Sequence, residues 1–423
     1  MTAKKKSEKF YQELQKKFSR KIDLDLKRIK LALRKLNNLH LKMSNVIGIY
    51  GSDGKNTCID SLKSFIEANS QSLTCYTSPH LYDVRSRFYH KNKFVSLEEL
   101  KRNIRIIEKL NVRLTLFELL TLSHVISCTK LSVDYHLLEG GAGQNLDSTN
   151  LWSSPLAQVI TNINRQHTKL FGVRTLRQIC KIKVGSLSKS TNIYIGKQNL
   201  QTLKIIKQIL KKNPSRQVYY GTGWTVKKIS NNKRIYKDNG GKIILQNPNI
   251  LSDGLWDNIG LSIRIARDLN ISKKIILKGV NKLFFEGRMH FIKKGPLRKL
   301  LYSQEDLCLD GCHSETSIKN HVSTIKNIKK PKFAIWSLGK NREPEQYVKH
   351  LKIFKRVVTI KIPDDPNACS ALLLKKIANK HNIECFTAPN IISAIQALSS
   401  SKPKVISIIG SLYTVGKVLN LND

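Results

Sequence analysis

The sequence predicts an α/β fold with a mostly parallel β-sheet and helices on both faces of that sheet. Short apolar strands alternate with helical segments through most of the chain, and this βαβ order is typical of parallel sheets. The length of 423 residues suits two or three domains. Hydrophobic residues make up 40% of the chain, which supports large cores and excludes wholesale disorder.

The first predicted domain follows this alternation after about forty residues of basic, partly amphipathic helix. The predicted elements are, in order, a strand at 46–50, a helix at 56–68, a strand at 73–76, a helix at 115–129, strands at 133–139 and 157–163, a helix near 175–184 and a strand at 192–195. At 218–245 short strands surround the turn Asn239-Gly240-Gly241, which predicts a β-hairpin insert. Helices are predicted near 255–269 and 272–283.

A second series of strands and helices predicts a smaller C-terminal domain. Its strands are predicted at 307–310, 333–337, 357–362 and 405–409, with helices between them and one after the last. The predicted domains are therefore 1–288, with the N-terminal helices, and 289–423, with the boundary at Arg288.

Basic residues are in large excess. Lysine and arginine number 74 and aspartate and glutamate number 30, which gives a formal net charge of +44. A basic surface attracts phosphate, but this excess is mostly lysine and is spread along the whole chain. A solvated lysine coat is therefore favoured over a surface that binds nucleic acid.

The cysteines and the apolar segments indicate a cytoplasmic protein. The eight cysteines have no regular spacing, which favours reduced thiols over disulfides. Cys308, Cys312 and His313 lack a second ligand pair, so zinc is not expected there. No uncharged apolar run approaches the roughly 18 residues of a membrane span. The N-terminus lacks the apolar core of a signal peptide.

The strongest local motif is a glycine turn between a strand and a helix. It reads Gly51-Ser52-Asp53-Gly54-Lys55-Asn56-Thr57 and follows the strand at 46–50. Backbone N–H groups and a helix N-terminus in this context hold phosphate. Lys55 would reach the β- and γ-phosphates of a nucleotide, and the Thr57 hydroxyl would bind Mg²⁺. The alternative is a plain glycine turn with an exposed lysine.

Three more residues are candidates for the same site. Glu139 ends the strand at 133–139, just before a glycine loop, and ligands of open α/β sheets bind beyond such strand ends. Its carboxylate is therefore a candidate Mg²⁺ ligand. His167 follows the strand at 157–163, and Lys183 lies on the next helix. The residues alone leave open whether His167 and Lys183 are structural or catalytic.

A series of motifs in order resembles the folylpolyglutamate synthase/dihydrofolate synthase family of the Mur ligase superfamily, from about Lys21 to Leu419. The segments that carry the resemblance are Lys21 to Asn38, Tyr76-Thr77-Ser78-Pro79-His80-Leu81, Phe117-Glu118, Leu138-Glu139 with Leu146-Asp147-Ser148-Thr149-Asn150, His167-Thr168, Lys183-Val184-Gly185, Gly287-Arg288, Asp310-Gly311-Cys312-His313 and Gly410-Ser411-Leu412-Tyr413-Thr414-Val415-Gly416.

The resemblance implies a Mur ligase-like phosphate-loop domain and a smaller Rossmann-like C-terminal domain. It implies an ATP-dependent ligase that joins L-glutamate to dihydropteroate and to reduced folates. In that reaction ATP phosphorylates a carboxylate, and the amine of glutamate attacks the acyl phosphate. Two Mg²⁺ sites are implied, and we expect a monomer.

The resemblance also assigns roles to single residues. Arg288 is expected to contact the γ-phosphate. His167 is expected to hold a second Mg²⁺ with the help of a carbamylated Lys183. The expected catalytic residues are therefore His167, Lys183 and Arg288. The expected ATP-binding residues are Gly51, Asp53, Gly54, Lys55, Asn56, Thr57, Asn258, Arg288, Asp310 and His313. The expected metal ligands are Thr57, Glu139 and His167. The expected folate- or pterin-binding residues are Thr77, Ser78, Pro79, His80, Arg87 and Phe117.

Several positions depart from the family pattern. In the glycine turn Asp53 replaces an asparagine and Asn56 replaces a glycine. Gln166 replaces an aspartate, and Leu255 and Ser314 replace a glutamine and an asparagine. Two alternatives stay open: a Mur-type ligase for another carboxylate, and a non-catalytic homologue that binds nucleic acid. The Tyr-Thr-Ser-Pro-His-Leu segment argues against the first, and only the charge and the altered turn support the second.

Overall fold

The computed structural model describes residues 3–19, 23–166 and 168–422, and the chain divides into two compact units. The first unit comprises Met1–Asn247 and Leu255–Leu283, and the second comprises Pro248–Gly254 and Phe284–Asp423. The domain boundary at Arg288 remains a prediction from the sequence. Within the described ranges, no helix combines the length and the apolar character that crossing a membrane requires.

The first unit contains most of the helices of the chain. They are α1 (Ala3–Lys17), α2 (Leu26–Lys35), α3 (Lys55–Ala68), α4 (Leu97–Glu108), α5 (Leu116–Cys128), α6 (Thr168–Phe171), α7 (Leu176–Val184), α8 (Leu200–Leu210), α9 (Asp253–Asp268, of which the first two residues group with the second unit) and α10 (Lys273–Lys282). Its strands are β1 (Val46–Tyr50), β2 (Leu73–Tyr76), β3 (Phe88–His90), β4 (Lys93–Phe94), β5 (Tyr135–Glu139), β6 (Ala157–Ile160), β7 (Asn192–Ile195), β8 (Gln217–Tyr219), β9 (Trp224–Ser230), β10 (Lys233–Asp238) and β11 (Gly241–Gln246).

An eight-stranded sheet forms the centre of the first unit, in the order β4-β3-β2-β5-β1-β6-β7-β8. Strands β2, β5, β1, β6, β7 and β8 are parallel to one another. At the β2 side, β3 pairs antiparallel with β2, and β4 pairs antiparallel with β3. Strand β1 is buried along its whole length, as expected for an apolar strand covered on both faces. The predicted mostly parallel sheet is therefore confirmed.

The insert predicted at 218–245 is confirmed as antiparallel structure from Trp224 onwards, whereas Val218 and Tyr219 belong to β8 of the large sheet. Strands β9, β10 and β11 form a separate three-stranded sheet in the order β11-β10-β9. Asp238 pairs with Gly241 across the predicted turn. The insert therefore has one strand more than a simple hairpin.

The second unit has its own six-stranded sheet, in the order β12-β13-β17-β14-β15-β16. Its strands are β12 (His290–Ile292), β13 (Glu305–Asp310), β14 (Lys332–Trp336), β15 (Arg356–Thr359), β16 (Cys385–Thr387) and β17 (Lys404–Ile409). Its helices are α11 (Glu315–Ile325), α12 (Pro344–Val348), α13 (Ala371–Lys380), α14 (Ile391–Leu398) and α15 (Leu412–Asn422). All strand pairs are parallel except β12 with β13, which agrees with the predicted Rossmann-like topology.

Candidate active site

Four neighbouring strands of the large sheet end at one edge. Strands β2, β5, β1 and β6 are adjacent and parallel, with Ile49 opposite Glu139 and Tyr50 opposite Ile160. The loops that follow these strands therefore emerge side by side. Ligands of open α/β sheets bind in this position, so the topology places the glycine turn, Glu139 and the segment after Tyr76 at a single candidate site.

The backbone of the glycine turn requires glycine at two positions. Gly51 and Gly54 have φ values of +143° and +90°, which L side chains rarely adopt. A Cβ at Gly51 would also overlap the Thr161 hydroxyl, and one at Gly54 would overlap the side chain of Asn258. Gly54 is the N-cap of α3, where no side chain of the described residues caps the helix. The N–H groups of the first turn are thus available to an anion.

Lys55 and Glu139 place opposite charges at the mouth of this turn. Lys55 Nζ lies 3.8 Å from Glu139 Oε1 and donates to the carbonyls of Gly51 and Ser52 at 3.4 Å. Glu139 Oε2 accepts a hydrogen bond of 2.9 Å from the N–H of Ser78. Both charged side chains are largely buried. Such a pair can bind a phosphate through its cation and a metal ion through its carboxylate.

Thr57 provides a second oxygen in the same region. It lies in the first turn of α3 and is buried, 4% exposed. A hydroxyl and a carboxylate oxygen form a hard donor set that suits Mg²⁺. The residues present at this position therefore fit the ion that the sequence predicted. His167, the third predicted ligand, lies outside the described residues.

Two departures from the family pattern contact each other. Asp53 Oδ2 accepts a hydrogen bond of 3.0 Å from Gln166 Nε2 and one of 2.6 Å from Asn164 Nδ2. Ser52 N–H donates to the carbonyl of Asn162 at 2.7 Å. The Asp53 carboxylate is thus held by amide donors of the loop after β6.

Asp147 organises the glycine loop after Glu139, a role that sequence analysis did not assign. Its Oδ2 accepts hydrogen bonds from the N–H groups of Gly141 at 2.9 Å and Ala142 at 3.2 Å. Its Oδ1 accepts from the Thr149 hydroxyl at 2.7 Å and from its N–H at 3.1 Å. Burial raises the pKa of this carboxyl, and the hydrogen bonds oppose that rise. In the sequence, this role of Asp147 is indicated only by its place in the Leu-Asp-Ser-Thr-Asn motif.

Lys183 is a buried residue that connects two of these loops. Its Nζ donates to the carbonyl of Ala142 at 2.6 Å and to that of Gly51 at 3.0 Å. Burial, with a contribution from the charge of Lys55, lowers the pKa of Lys183 to about 7, although Asp147 and Asp53 oppose this shift. A helix lysine is ordinarily solvated, so this environment distinguishes Lys183 from the exposed Lys181, the other lysine of α7.

The segment after β2 is held by an arginine. Arg87 is buried, and its Nε donates to His80 Nδ1 at 2.8 Å while its Nη2 donates to the Tyr11 hydroxyl at 3.3 Å. Burial, with a contribution from the Arg87 charge, lowers the pKa of His80 well below its ordinary value, which keeps the imidazole neutral. The N–H of Thr77 donates to the Arg87 carbonyl at 3.0 Å. Predicted pterin-site residues therefore contact one another.

Phe117 lies beside this segment because of the cap of α5. Thr115 and Glu118 form a reciprocal capping box that starts the helix. The Phe117 ring is then 6.0 Å from the Tyr76 ring and faces Gly141, where a Cβ would be 3.0 Å from the ring. Phe117 thus links the segment after β2 to the glycine loop after β5.

The second unit holds the remaining predicted residues. Asp310 Oδ1 accepts a hydrogen bond of 3.1 Å from the N–H of Cys312, and Oδ2 lies 3.0 Å from Nδ1 of His321. His313 Nδ1 lies 2.8 Å from the carbonyl of Gly311. The N–H of Gly311 donates to the carbonyl of Gly287 at 2.9 Å, so the segment with Arg288 is next to the segment with His313. His321 was missed because it lies on α11, away from any motif.

The predicted site residues fall into three groups. Gly51, Asp53, Gly54, Lys55, Asn56, Thr57, Asn258, Glu139 and Lys183 surround the glycine turn of the first unit. The second group is the segment with Thr77, Ser78, Pro79, His80, Arg87 and Phe117. The third is formed by Arg288, Asp310 and His313 in the second unit.

Comparison with known proteins identifies relatives over nearly the whole chain. No family model matches the chain. A dihydrofolate synthase/folylpolyglutamate synthase of Buchnera aphidicola subsp. Schizaphis graminum is 28% identical over 420 residues, which cover 96% of this chain and 95% of the relative. A probable dihydrofolate synthetase of Schizosaccharomyces pombe is 24% identical, over 93% of this chain and 97% of the relative.

Solved structures match the same fold. Mycobacterium tuberculosis folylpolyglutamate synthase complexed with ADP superposes with a TM-score of 0.87 at 19% identity, over 99% of this chain and 98% of that one. Escherichia coli FolC in complex with DHPP and ADP superposes with a TM-score of 0.85 at 20% identity, over 98% of this chain and 96% of that one. At these identities the structures establish the fold.

Proposed function

Because this chain belongs to the dihydrofolate synthase/folylpolyglutamate synthase family, we propose that it is an ATP-dependent ligase that joins L-glutamate to dihydropteroate and to reduced folates. The observation that carries the proposal is the convergence of the glycine turn, Glu139 and Lys183 at one edge of the large sheet. The acceptor carboxylate is activated by transfer of a phosphoryl group from ATP. The glutamate amine then attacks the carbonyl carbon, the C–N bond forms, the C–O bond to phosphate breaks, and the amine loses its proton.

The glycine turn is proposed to hold the phosphates of ATP. The unblocked first turn of α3 and the positive-φ glycines leave the backbone N–H groups free to approach an anion. Lys55 would exchange its weak carbonyl contacts at 3.4 Å for phosphate oxygens. Asn258, which is adjacent to Gly54, is proposed to line the nucleotide site.

Mg²⁺ is proposed to bind through Thr57 and Glu139. The ion would neutralise charge on the phosphate oxygens during phosphoryl transfer. Ser78 N–H donates to one oxygen of Glu139, and the other oxygen lies 3.8 Å from Lys55 Nζ, next to the proposed phosphate site. We also propose a second Mg²⁺, with His167 and a carbamylated Lys183 as its ligands.

The environment of Lys183 supports its carbamylation. With its pKa lowered to about 7, a large fraction of the amine is neutral near physiological pH. A neutral amine attacks CO₂, the N–C bond forms, and a proton is lost to give a carbamate. The product carries oxygen donors of the kind that Mg²⁺ prefers.

The segment with Thr77, Ser78, Pro79 and His80 is proposed to bind the pterin part of the acceptor. Arg87 and the neutral His80 fix its conformation, and Phe117 supplies an aromatic face near Tyr76. In the second unit, Arg288, Asp310 and His313 remain proposed nucleotide ligands.

The proposal is tested by ADP release. Purified protein is incubated with ATP, Mg²⁺ and glutamate, with and without 7,8-dihydropteroate or tetrahydrofolate, and ADP is measured. ADP release that depends on an acceptor is expected. If neither acceptor elicits it, the ligase assignment is wrong.

A matched pair of variants ties the activity to the site. Lys55→Ala should lose acceptor-dependent ADP release, because the phosphate charge is then uncompensated. Lys204→Ala, which removes an exposed lysine on α8, should retain it. Equal loss in both variants would point to a general effect of lysine removal rather than to the proposed phosphate site.

A further inference from the structure

Three metal-ligating side chains meet in the first unit, away from the residues that the proposed function uses. They are His90, His124 and Cys128, here named the His90 cluster. His90 is the last residue of β3, and His124 and Cys128 lie one turn apart on α5. All three side chains are buried, and His124 is fully enclosed. Helix and strand therefore present two imidazoles and a thiol to one point of the interior.

The distances between the donor atoms match those of a tetrahedral metal site. His90 Nε2 lies 3.4 Å from His124 Nδ1, and Cys128 Sγ lies 3.8 Å from each of these nitrogens. Zinc bonds of about 2.0–2.1 Å to nitrogen and about 2.3 Å to sulfur place tetrahedral ligand atoms about 3.3 to 3.6 Å apart. The observed triangle is larger than that by only a few tenths of an ångström. Cys128 Sγ also lies 3.3 Å from His124 Nε2, so the thiol faces both ring nitrogens.

Further polar groups surround the cluster. Cys128 Sγ donates to the Thr74 hydroxyl at 3.5 Å, and that hydroxyl is hydrogen-bonded to His136 Nδ1 at 2.8 Å. The Glu99 carboxylate acts on His90 through its charge.

Without a metal the cluster is uncharged. Burial lowers the pKa of His90 to about 4 and that of His124 well below its ordinary value. Burial also raises the pKa of the Cys128 thiol to about 12. The imidazoles are thus in the form that binds metals, and the thiol would release its proton to solvent when a cation takes its place.

We propose that His90, His124 and Cys128 bind one divalent transition-metal ion of the zinc class, at a structural site distinct from the Mg²⁺ of the nucleotide. Imidazole and thiolate donors select such ions over Mg²⁺, which takes oxygen ligands. The ion would join β3 to α5 behind Tyr76, whose ring stacks on His124 with a centroid distance of 5.2 Å. A second group of candidate ligands, Asp310, Cys312 and His321, lies in the second unit and has a carboxylate in place of one imidazole.

Cobalt is the probe that tests this site, because a Co²⁺–thiolate bond gives a near-ultraviolet charge-transfer band that oxygen ligands do not. The full chain is produced in cobalt-supplemented medium, and its absorption and metal content are measured. The thiolate band is expected, at an intensity that corresponds to about one Co²⁺–thiolate bond per chain, whatever Co²⁺ binds to oxygen ligands elsewhere. Cys128→Ser should abolish the band, and Cys385→Ser, which alters a buried thiol of the second unit, should retain it.

Three outcomes would overturn the proposal. They are wild-type protein without the band, a band that persists in Cys128→Ser, and a band that disappears in Cys312→Ser instead. If Cys128→Ser does not fold, the site is tested with His90→Gln, because this variant keeps the Cys128 thiol. That variant should lose its metal to a chelator at least about tenfold faster than wild type, in keeping with the 10–100-fold effects of even outer-ligand changes. An unchanged rate would refute the site.

Discussion

Gln166 Nε2 donates a hydrogen bond of 3.0 Å to Asp53 Oδ2, and these two residues are both departures from the family pattern. The family has an amide at the position of Asp53 and a carboxylate at that of Gln166. This chain has the carboxylate and the amide the other way round. In this chain the Gln166 amide therefore stabilises the acidic side chain that stands in the glycine turn.

Exchanging the two groups should show that they act as a pair. Gln166→Glu alone places two carboxylates in contact, and we expect it to raise the KM for ATP several-fold. The double variant Asp53→Asn with Gln166→Glu restores a carboxylate and an amide, so it should recover most of the loss, with a coupling energy of about 1 kcal/mol. Gln178→Glu makes the same chemical change at a cap of α7 and should have little effect. Additive effects of the two substitutions would contradict the pairing.

Gly54→Ala should cost more than the backbone strain alone. Gly54 has φ +90° and faces Asn258, whereas Gly221 has φ +96° with open space around it. Alanine at either site suffers a similar strain, on the order of 1–2 kcal/mol. Only Gly54→Ala adds a steric overlap at the phosphate loop, so it should also abolish ATP binding by calorimetry. Gly221→Ala should bind ATP like wild type. If Gly221→Ala also lost ATP binding, the steric overlap with Asn258 would not be the cause of the loss in Gly54→Ala.

Lys183→Ala should abolish turnover, because it removes the amine that is proposed to become a carbamate. Short carboxylates such as formate or acetate should restore part of the activity by replacing the lost oxygen donors. Lys181→Ala, on the exposed face of the same helix, should leave turnover near the wild-type rate. Full activity of Lys183→Ala would refute the assigned role.

Acid should destabilise the first unit through buried histidines that stay neutral in the folded chain. His90 and His136 have pKa values lowered by burial to about 4, against about 6.5 in an unfolded chain. As the pH falls from about 6.5 towards 4, the unfolded chain takes up protons that the folded chain does not. The free energy of unfolding should then fall by up to about 1.4 kcal/mol per pH unit for each histidine. Denaturant unfolding of metal-free protein at a series of pH values measures how the free energy of unfolding changes with pH. His90→Asn should make this change smaller. The same pH dependence in wild type and variant would contradict a neutral, buried His90.

Local pattern was sufficient to predict the glycine turn between β1 and α3 and the position of Glu139 at the end of a strand. An apolar strand, a glycine turn and a helix are contiguous in sequence, and the order of strands then brings Glu139 alongside. Strands β3 and β16 were missed because each has only three residues, too few for a periodicity.

Contacts between distant residues had no sequence signal. Asp53 and Gln166 are 113 positions apart, and neither residue type indicates its partner. The His90 cluster shows the same limit. His124 and Cys128 have the spacing of one helical turn, but their partner His90 lies on the missed strand β3.

The two hydrogen bonds of Lys183 have a consequence for its modification. An amine or ammonium can donate to both carbonyls, that of Gly51 and that of Ala142, as the structure shows. A carbamate nitrogen carries a single N–H, so it can keep only one of them. Uptake of CO₂ would therefore release one loop from α7, and the geometry of the phosphate loop or of the glycine loop would respond to the supply of CO₂.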